Sequence, residues 1–270
     1  MARAVSSRTY SRVYGTDASA EVVSSAIADG TLSGKLEDHY EDIDILIVAL
    51  YPNDVVDIIL KTAPKLKKGC IVIDCTGVKG VICSKLSDKL TEAGLRFIGG
   101  HPMAGKEVAG YRNSSEDLFD GAYMILCKDG NTDEEALAQS CDLFKRLGFK
   151  GVRITTAEEH DRVIAYTSQL AHIVSSSYIK SSTLEKRYGF SAGSFKDMTR
   201  VAKLNENMWA DLFLANDDAI VSEIDALISH LMEFENAIEK RDRDRLVGLL
   251  REGRIRKEND EKKESEYNPE

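Results

Sequence analysis

The chain of 270 residues has no apolar run approaching the ~20 residues that a membrane-spanning helix requires. The longest, Ile43 to Leu50, is interrupted by Asp44 and reads as a buried strand. Positive charge is not in surplus. Lys and Arg number 36 against 45 Asp and Glu, and a net charge of −9 argues against a nucleic-acid partner. The five cysteines (Cys70, Cys75, Cys83, Cys127, Cys141) form no C-x-x-C pair, and no H-E-x-x-H occurs, so no metal site is expected. Three of these thiols lie in or beside apolar runs and read as reduced core residues of a cytoplasmic protein. Met1 to Arg8 lacks the apolar stretch of a secretory signal.

What is present is a patterned chain with 43% hydrophobic residues, ample for a core. Short strands and helices alternate in the first half. Strands are expected at Arg12 to Tyr14, Ile43 to Leu50, Cys70 to Cys75, Arg96 to Ile98, Ala122 to Cys127 and Val152 to Thr155. Helices are expected at Ala18 to Ala28, Asn53 to Ala63, Gly80 to Ala93 and Asp133 to Leu147. This order predicts βαβ units and a mostly parallel sheet over residues 1–155. Strand signals then stop. Ala157 to Leu184 reads as one long helix, followed by Asp197 to Leu204, Asn207 to Lys240 and Arg243 to Arg251. Residues 156–253 are therefore expected to form a helical domain, and 254–270 a charged tail with no fold of its own.

The most informative segment is Gly99-Gly100-His101-Pro102-Met103-Ala104-Gly105-Lys106-Glu107. Two glycines permit close approach to the backbone. Pro102 biases His101 toward an extended conformation, so a side chain that titrates near neutrality sits at a strand's C-terminal end. In open α/β sheets that edge is where ligands bind. Gly100-x-x-x-x-Gly105-Lys106 resembles a phosphate-binding loop, but Glu107 stands where Ser or Thr is required, and Pro102 removes a backbone N–H. The plain alternative is a glycine-rich turn with an incidental histidine.

Further along, Ser168 and His172 are four apart and share a helix face, with small Ala165 beside them. They line a polar pocket, or His172 is simply hydrogen-bonded within a closely packed helix. Arg200 lies among apolar neighbours in Thr199-Arg200-Val201-Ala202 and suits bidentate carboxylate recognition, or else a surface ion pair. Gly77 and Gly80 follow a buried strand and again suggest close approach at the sheet edge. Asp17 closes the first visible strand, where an acid would bond the adenine-ribose hydroxyls of a dinucleotide. The Gly-x-Gly-x-x-Gly loop expected upstream of it is not found.

Three motifs occur in order: Gly99 to Glu107, then His160-Asp161…Ser168-x-x-x-His172, then Thr199-Arg200-Val201-Ala202…Met208-Trp209…Asn216. Together they closely resemble the prephenate dehydrogenase family of tyrosine biosynthesis. In that family the chain starts with a strand, Gly-x-Gly-x-x-Gly-Ser and then Met- or Leu-Ala-x-Ala. Met1-Ala2-Arg3-Ala4 matches the last piece, so the first strand and glycine loop are expected to be missing. The resemblance implies a Rossmann-type, mostly parallel sheet followed by an all-helical C-terminal domain that forms a homodimer. It also implies oxidative decarboxylation of prephenate to 4-hydroxyphenylpyruvate with NAD⁺. His101 would accept the hydroxyl proton, Arg200 would clamp a substrate carboxylate, and Glu107, Ser168 and His172 would complete the pocket. NAD would rest on Asp17, on Leu50 and Pro52 where the strand Ile43 to Leu50 gives way to its loop, and on Thr76 and Gly77. Many members carry Ser where this chain has Gly77, and that Ser steadies the histidine; Thr76 is the expected substitute. Arogenate dehydrogenase is the alternative within the class. A truncated, non-catalytic remnant that only dimerises is the alternative from another class.

Overall fold

Two short apolar runs, β3 (Ile45–Val48) and β4 (Ile71–Asp74), pair in parallel at the start of a five-stranded sheet. The structure, a computed structural model, describes residues 1–105 and 110–267. All four residues of β4 are buried, as a strand covered on both faces demands. Its side chains alternate: Val72 enters one apolar cluster, Ile71 and Ile73 the other. The first cluster takes Val55 and Ile59 from α3 (Pro52–Thr62) and Ile82, Leu86 and Leu90 from α4 (Gly80–Glu92). The second takes Ala4 from α1 (Ala2–Arg8) and Phe144 from α5 (Glu134–Arg146). Helices thus cover both faces, the Rossmann-type arrangement expected.

β5 (Arg96–Pro102) continues the sheet in parallel beside β4, β6 (Tyr123–Cys127) runs antiparallel to β5, and β7 (Gly151–Thr155) is parallel to β6. Before them, β1 (Tyr14–Gly15) and β2 (Gly34–Lys35) flank α2 (Ala20–Ala28) and pair in parallel as a separate two-stranded sheet. Among the described residues β3 pairs with β4 and with no other strand.

The helical part departs from its sequence pattern in four places. The helix expected from Ala157 to Leu184 is α6 (Ala157–Ile164), a π turn over Ala165–Gln169, and α7 (Leu170–Tyr178). α8 (Gly193–Thr199) and a 3₁₀ turn, Arg200–Ala202, follow. The helix expected from Asn207 to Lys240 breaks after α9 (Glu206–Leu214), before α10 (Asp217–Glu239). At the break, buried Asn216 donates to Asp161 O at 2.9 Å and Gln169 Oε1 at 2.6 Å. The expected tail is instead helical: α11 runs Arg243–Tyr267. Its charges alternate at helical spacing, with Arg254–Glu258, Arg256–Glu252 and Lys257–Glu261 pairs one turn apart.

The chain divides into two compact units, Met1–Asp217 and Asp218–Glu270. In the second, Arg241 adopts φ 54° between the helices, and Arg245 pairs with Glu233. Among the described residues no helix is long and apolar enough to cross a membrane.

Candidate active site

His101 lies in β5, one residue from its end, opposite Ile125 of β6. The glycines before it serve the protein's own packing. A Cβ on Gly100 would stand 2.7 Å from Asp74 O and from Met124 Cε, and one on Gly99 would stand 2.7 Å from Cys83 Sγ. What approaches these glycines is therefore the neighbouring strands and α4, a correction to the expected ligand approach.

The turn from β4 into α4 holds the histidine's surroundings. Asp74 and Lys79 are both fully buried and form an ion pair. Lys79 Nζ also donates to Gly100 O at 2.7 Å and to Thr76 Oγ1 at 3.1 Å, and Thr76 Oγ1 donates to Asp74 at 2.6 Å. A buried lysine is stable only when so surrounded. Thr76 is thereby committed to this knot, its hydroxyl bonded to Asp74, Val78 O and Lys79. Gly77 faces the ring instead: a Cβ there would lie 3.8 Å from His101 Nε2 and 3.4 Å from Leu212 Cδ2 of α9.

The partner of His101 is a second histidine. His101 Nδ1 is 2.9 Å from His160 Nε2, and His160 Nδ1 is 2.7 Å from Asp161 Oδ1. Asp161 also accepts from the N–H groups of Lys79 (2.8 Å) and Gly80 (2.7 Å), at the N-terminus of α4 where a carboxylate is favoured. Gly80 is required here, since a Cβ would meet Asp161 Oδ2 at 2.9 Å. Burial pushes the His101 imidazole down to about 3, with His160 and Lys79 adding to the fall and Asp161 opposing it. The ring is therefore neutral at physiological pH.

A second cluster lies across α9. His172 Nδ1 donates to Val201 O at 3.0 Å, and its ring packs against Trp209 at a 39° tilt with centroids 3.8 Å apart. Trp209 is one turn before Leu212, so α9 touches both histidine sites. Burial lowers the His172 pKa, and the Arg200 guanidinium lowers it further. Arg200 is exposed in the turn that supplies Val201 O. Ser168 is half-buried within the π turn, a distortion frequent at functional sites. Glu107 lies outside the described residues.

The remaining expected positions follow strand ends. Exposed Asp17 accepts from Ser19 N at 2.8 Å just after β1. Leu50 is exposed after β3, and Pro52 opens α3. Thr76 and Gly77 follow β4. Burial raises the Cys70 thiol to about 11 and Cys75 to about 12, so these sulfurs stay protonated. No group of three or more metal-ligating side chains occurs among the described residues.

The residues that sequence reasoning left without a role are Asp74, Lys79, His160 and Asp161. The available signal was an acid and a lysine within an apolar strand–helix junction. The partners of His160 and Asp161 lie 59 and 82 residues away in sequence, so no spacing could reveal them.

Residues 1–153 match the family model described as prephenate dehydrogenase, nucleotide-binding domain, and residues 156–252 the model described as prephenate dehydrogenase, dimerization domain. The chain is 31% identical to cyclohexadienyl dehydrogenase of Zymomonas mobilis over 80% of its own length and 75% of that protein. It is 30% identical to prephenate dehydrogenase of Lactococcus lactis over 87% of its length and 66% of the relative. A solved structure of Aquifex aeolicus prephenate dehydrogenase in complex with hydroxyphenyl propionate and NAD⁺ superposes with TM-score 0.82 at 26% identity, covering 96% of this chain and 92% of that one.

Proposed function

The chain belongs to the prephenate dehydrogenase family, and we propose that it oxidises and decarboxylates prephenate to 4-hydroxyphenylpyruvate with NAD⁺. The observation that carries the reading is the His101 ring. It is neutral, stands at the carboxyl end of β5, and turns its Nε2 edge to Gly77, which has no side chain to block it.

The residues present fit both ends of a dinucleotide. Exposed Asp17 after β1 suits the adenine ribose, and Leu50, Pro52, Thr76 and Gly77 follow parallel strands whose carboxyl ends share one edge. Held there, NAD⁺ would supply the hydride acceptor for the oxidation of the carbinol carbon. His101 Nε2 takes the hydroxyl proton as the ring carboxylate leaves as CO₂. The same proton returns to the phenolate oxygen once the ring is aromatic, so no net proton is released. A ring that is neutral before the reaction is competent for this task. Arg200 and neutral His172 stand together, a cation beside a hydrogen-bonding edge suited to a substrate carboxylate. Ser168, on the same helical stretch as His172, is assigned to the same pocket.

The second unit supports assembly as a homodimer. On α10 the apolar Val221, Ile228, Leu231, Met232 and Ile238 are exposed. Val221 and Ile228 are seven apart, as are Leu231 and Ile238, the spacing of a helix–helix seam. Five free thiols suit a reducing cytoplasm.

The test is His101→Asn assayed with prephenate and NAD⁺. Loss of the base should lower kcat at least ~100-fold, the low end for general-base catalysis. A variant within a few-fold of the parent would remove His101 from this role.

A further inference from the structure

Asp161 is bound by three donors: two backbone N–H groups and the His160 ring. A carboxylate can only accept hydrogen bonds, so His160 Nδ1 must carry a proton. The 2.9 Å contact holds one hydrogen, and with His160 Nε2 as its acceptor that hydrogen belongs to His101 Nδ1. His101 Nε2 is left with its lone pair, on the side of Gly77. The chain Asp161–His160–His101 thus selects the one tautomer that can act as a base at Nε2.

We propose that His160 and Asp161 position His101 and serve as its proton relay. The inference rests on His101 being the base of the proposed reaction. When the substrate O–H bond breaks and an N–H bond forms at His101 Nε2, the Nδ1–H bond of His101 breaks and an N–H bond forms at His160 Nε2. His101 ends neutral, with its proton on Nε2. The positive charge resides on His160, 2.7 Å from the Asp161 carboxylate. The reverse shift returns the proton to the phenolate oxygen, so protons and charge balance over the cycle.

The setting favours the shift. Both His160 and Asp161 are buried, so their attraction is little screened by solvent. A cation on His101 would face the buried ammonium of Lys79, whereas one on His160 sits against the carboxylate. Asp161 is itself held by the α4 N-terminus and is therefore fixed before the reaction begins. The arrangement does the orienting task for which Gly77 offers no side chain.

The experiment is a double-mutant cycle. Parent, His160→Gln, His101→Asn and the double variant are assayed with prephenate and NAD⁺, with Asp161→Asn as a second probe and melting curves on each. Glutamine keeps an acceptor for His101 Nδ1 but cannot take its proton. His160→Gln should lower kcat roughly 10–100-fold, within the range of proton-transfer catalysis. KM for prephenate and the Kd of NAD⁺ should move less than about 3-fold, because neither ligand is touched. In the His101→Asn background the same change should cost less than about 2-fold, because a residue acting through His101 has nothing left to act on. An unchanged kcat in His160→Gln, or an equal loss in both backgrounds, would overturn the relay while leaving His101 as the base. An active His101→Asn would overturn the base assignment and the relay with it.

Discussion

For His101 the protonation state in the folded chain has a consequence for stability. Burial lowers its pKa from 6.5 to about 3, and His172 is lowered in the same direction. The sign follows from linkage: the unfolded chain binds protons that the folded chain refuses. The contribution is present in full above pH 6.5 and is lost as pH falls from 6.5 toward 3. The melting temperature should therefore fall through that window, and it should fall less steeply in His101→Asn than in the parent. Thermal melts at stepped pH decide the matter, and identical slopes would show that the ring is not held neutral by the fold.

Among the elements, the β4–α4 junction carries the largest stake. Lys79 and Asp74 are both fully buried, and removing one partner leaves an uncompensated charge. Lys79→Met should cost roughly 3–5 kcal/mol in denaturant unfolding, and adding Asp74→Leu should recover part of the loss. A loss below ~1 kcal/mol for Lys79→Met would mean that the pair is solvated rather than buried. The elements themselves were legible wherever burial on both sides writes a continuous apolar run, as at β3 and β4. The π turn at Ala165–Gln169 was not, because the helical apolar spacing runs through it. The break before α10 carries neither Gly nor Pro; buried Asn216 occupies it, bonding to residues 55 and 47 positions away. The length of α11 was hidden by composition, since a charged stretch reads alike as coil or as a solvated helix with pairs along its faces. In the site, His101 was legible from its glycines and Pro102, although the reason for the glycines differed. His160 and Asp161 were visible only as part of a motif, because their work is done through tertiary contacts.

At the scale of the whole molecule, the exposed stripe on α10 predicts self-association. The parent should run as a dimer in light scattering, and Leu231→Glu, which puts a charge in the middle of the stripe, should shift it toward monomer. An unchanged mass would place the dimer contact elsewhere or deny it. The family assignment and the His101 site join in one claim, that this chain couples hydride removal to decarboxylation of prephenate. The measurement that meets that claim directly is product stoichiometry: purified protein with prephenate and NAD⁺, following NADH, CO₂ and 4-hydroxyphenylpyruvate together, with arogenate run in parallel. The account predicts equal amounts of the three products from prephenate and slower turnover of arogenate. Turnover of arogenate with none of prephenate, or NADH formed without CO₂, would contradict it.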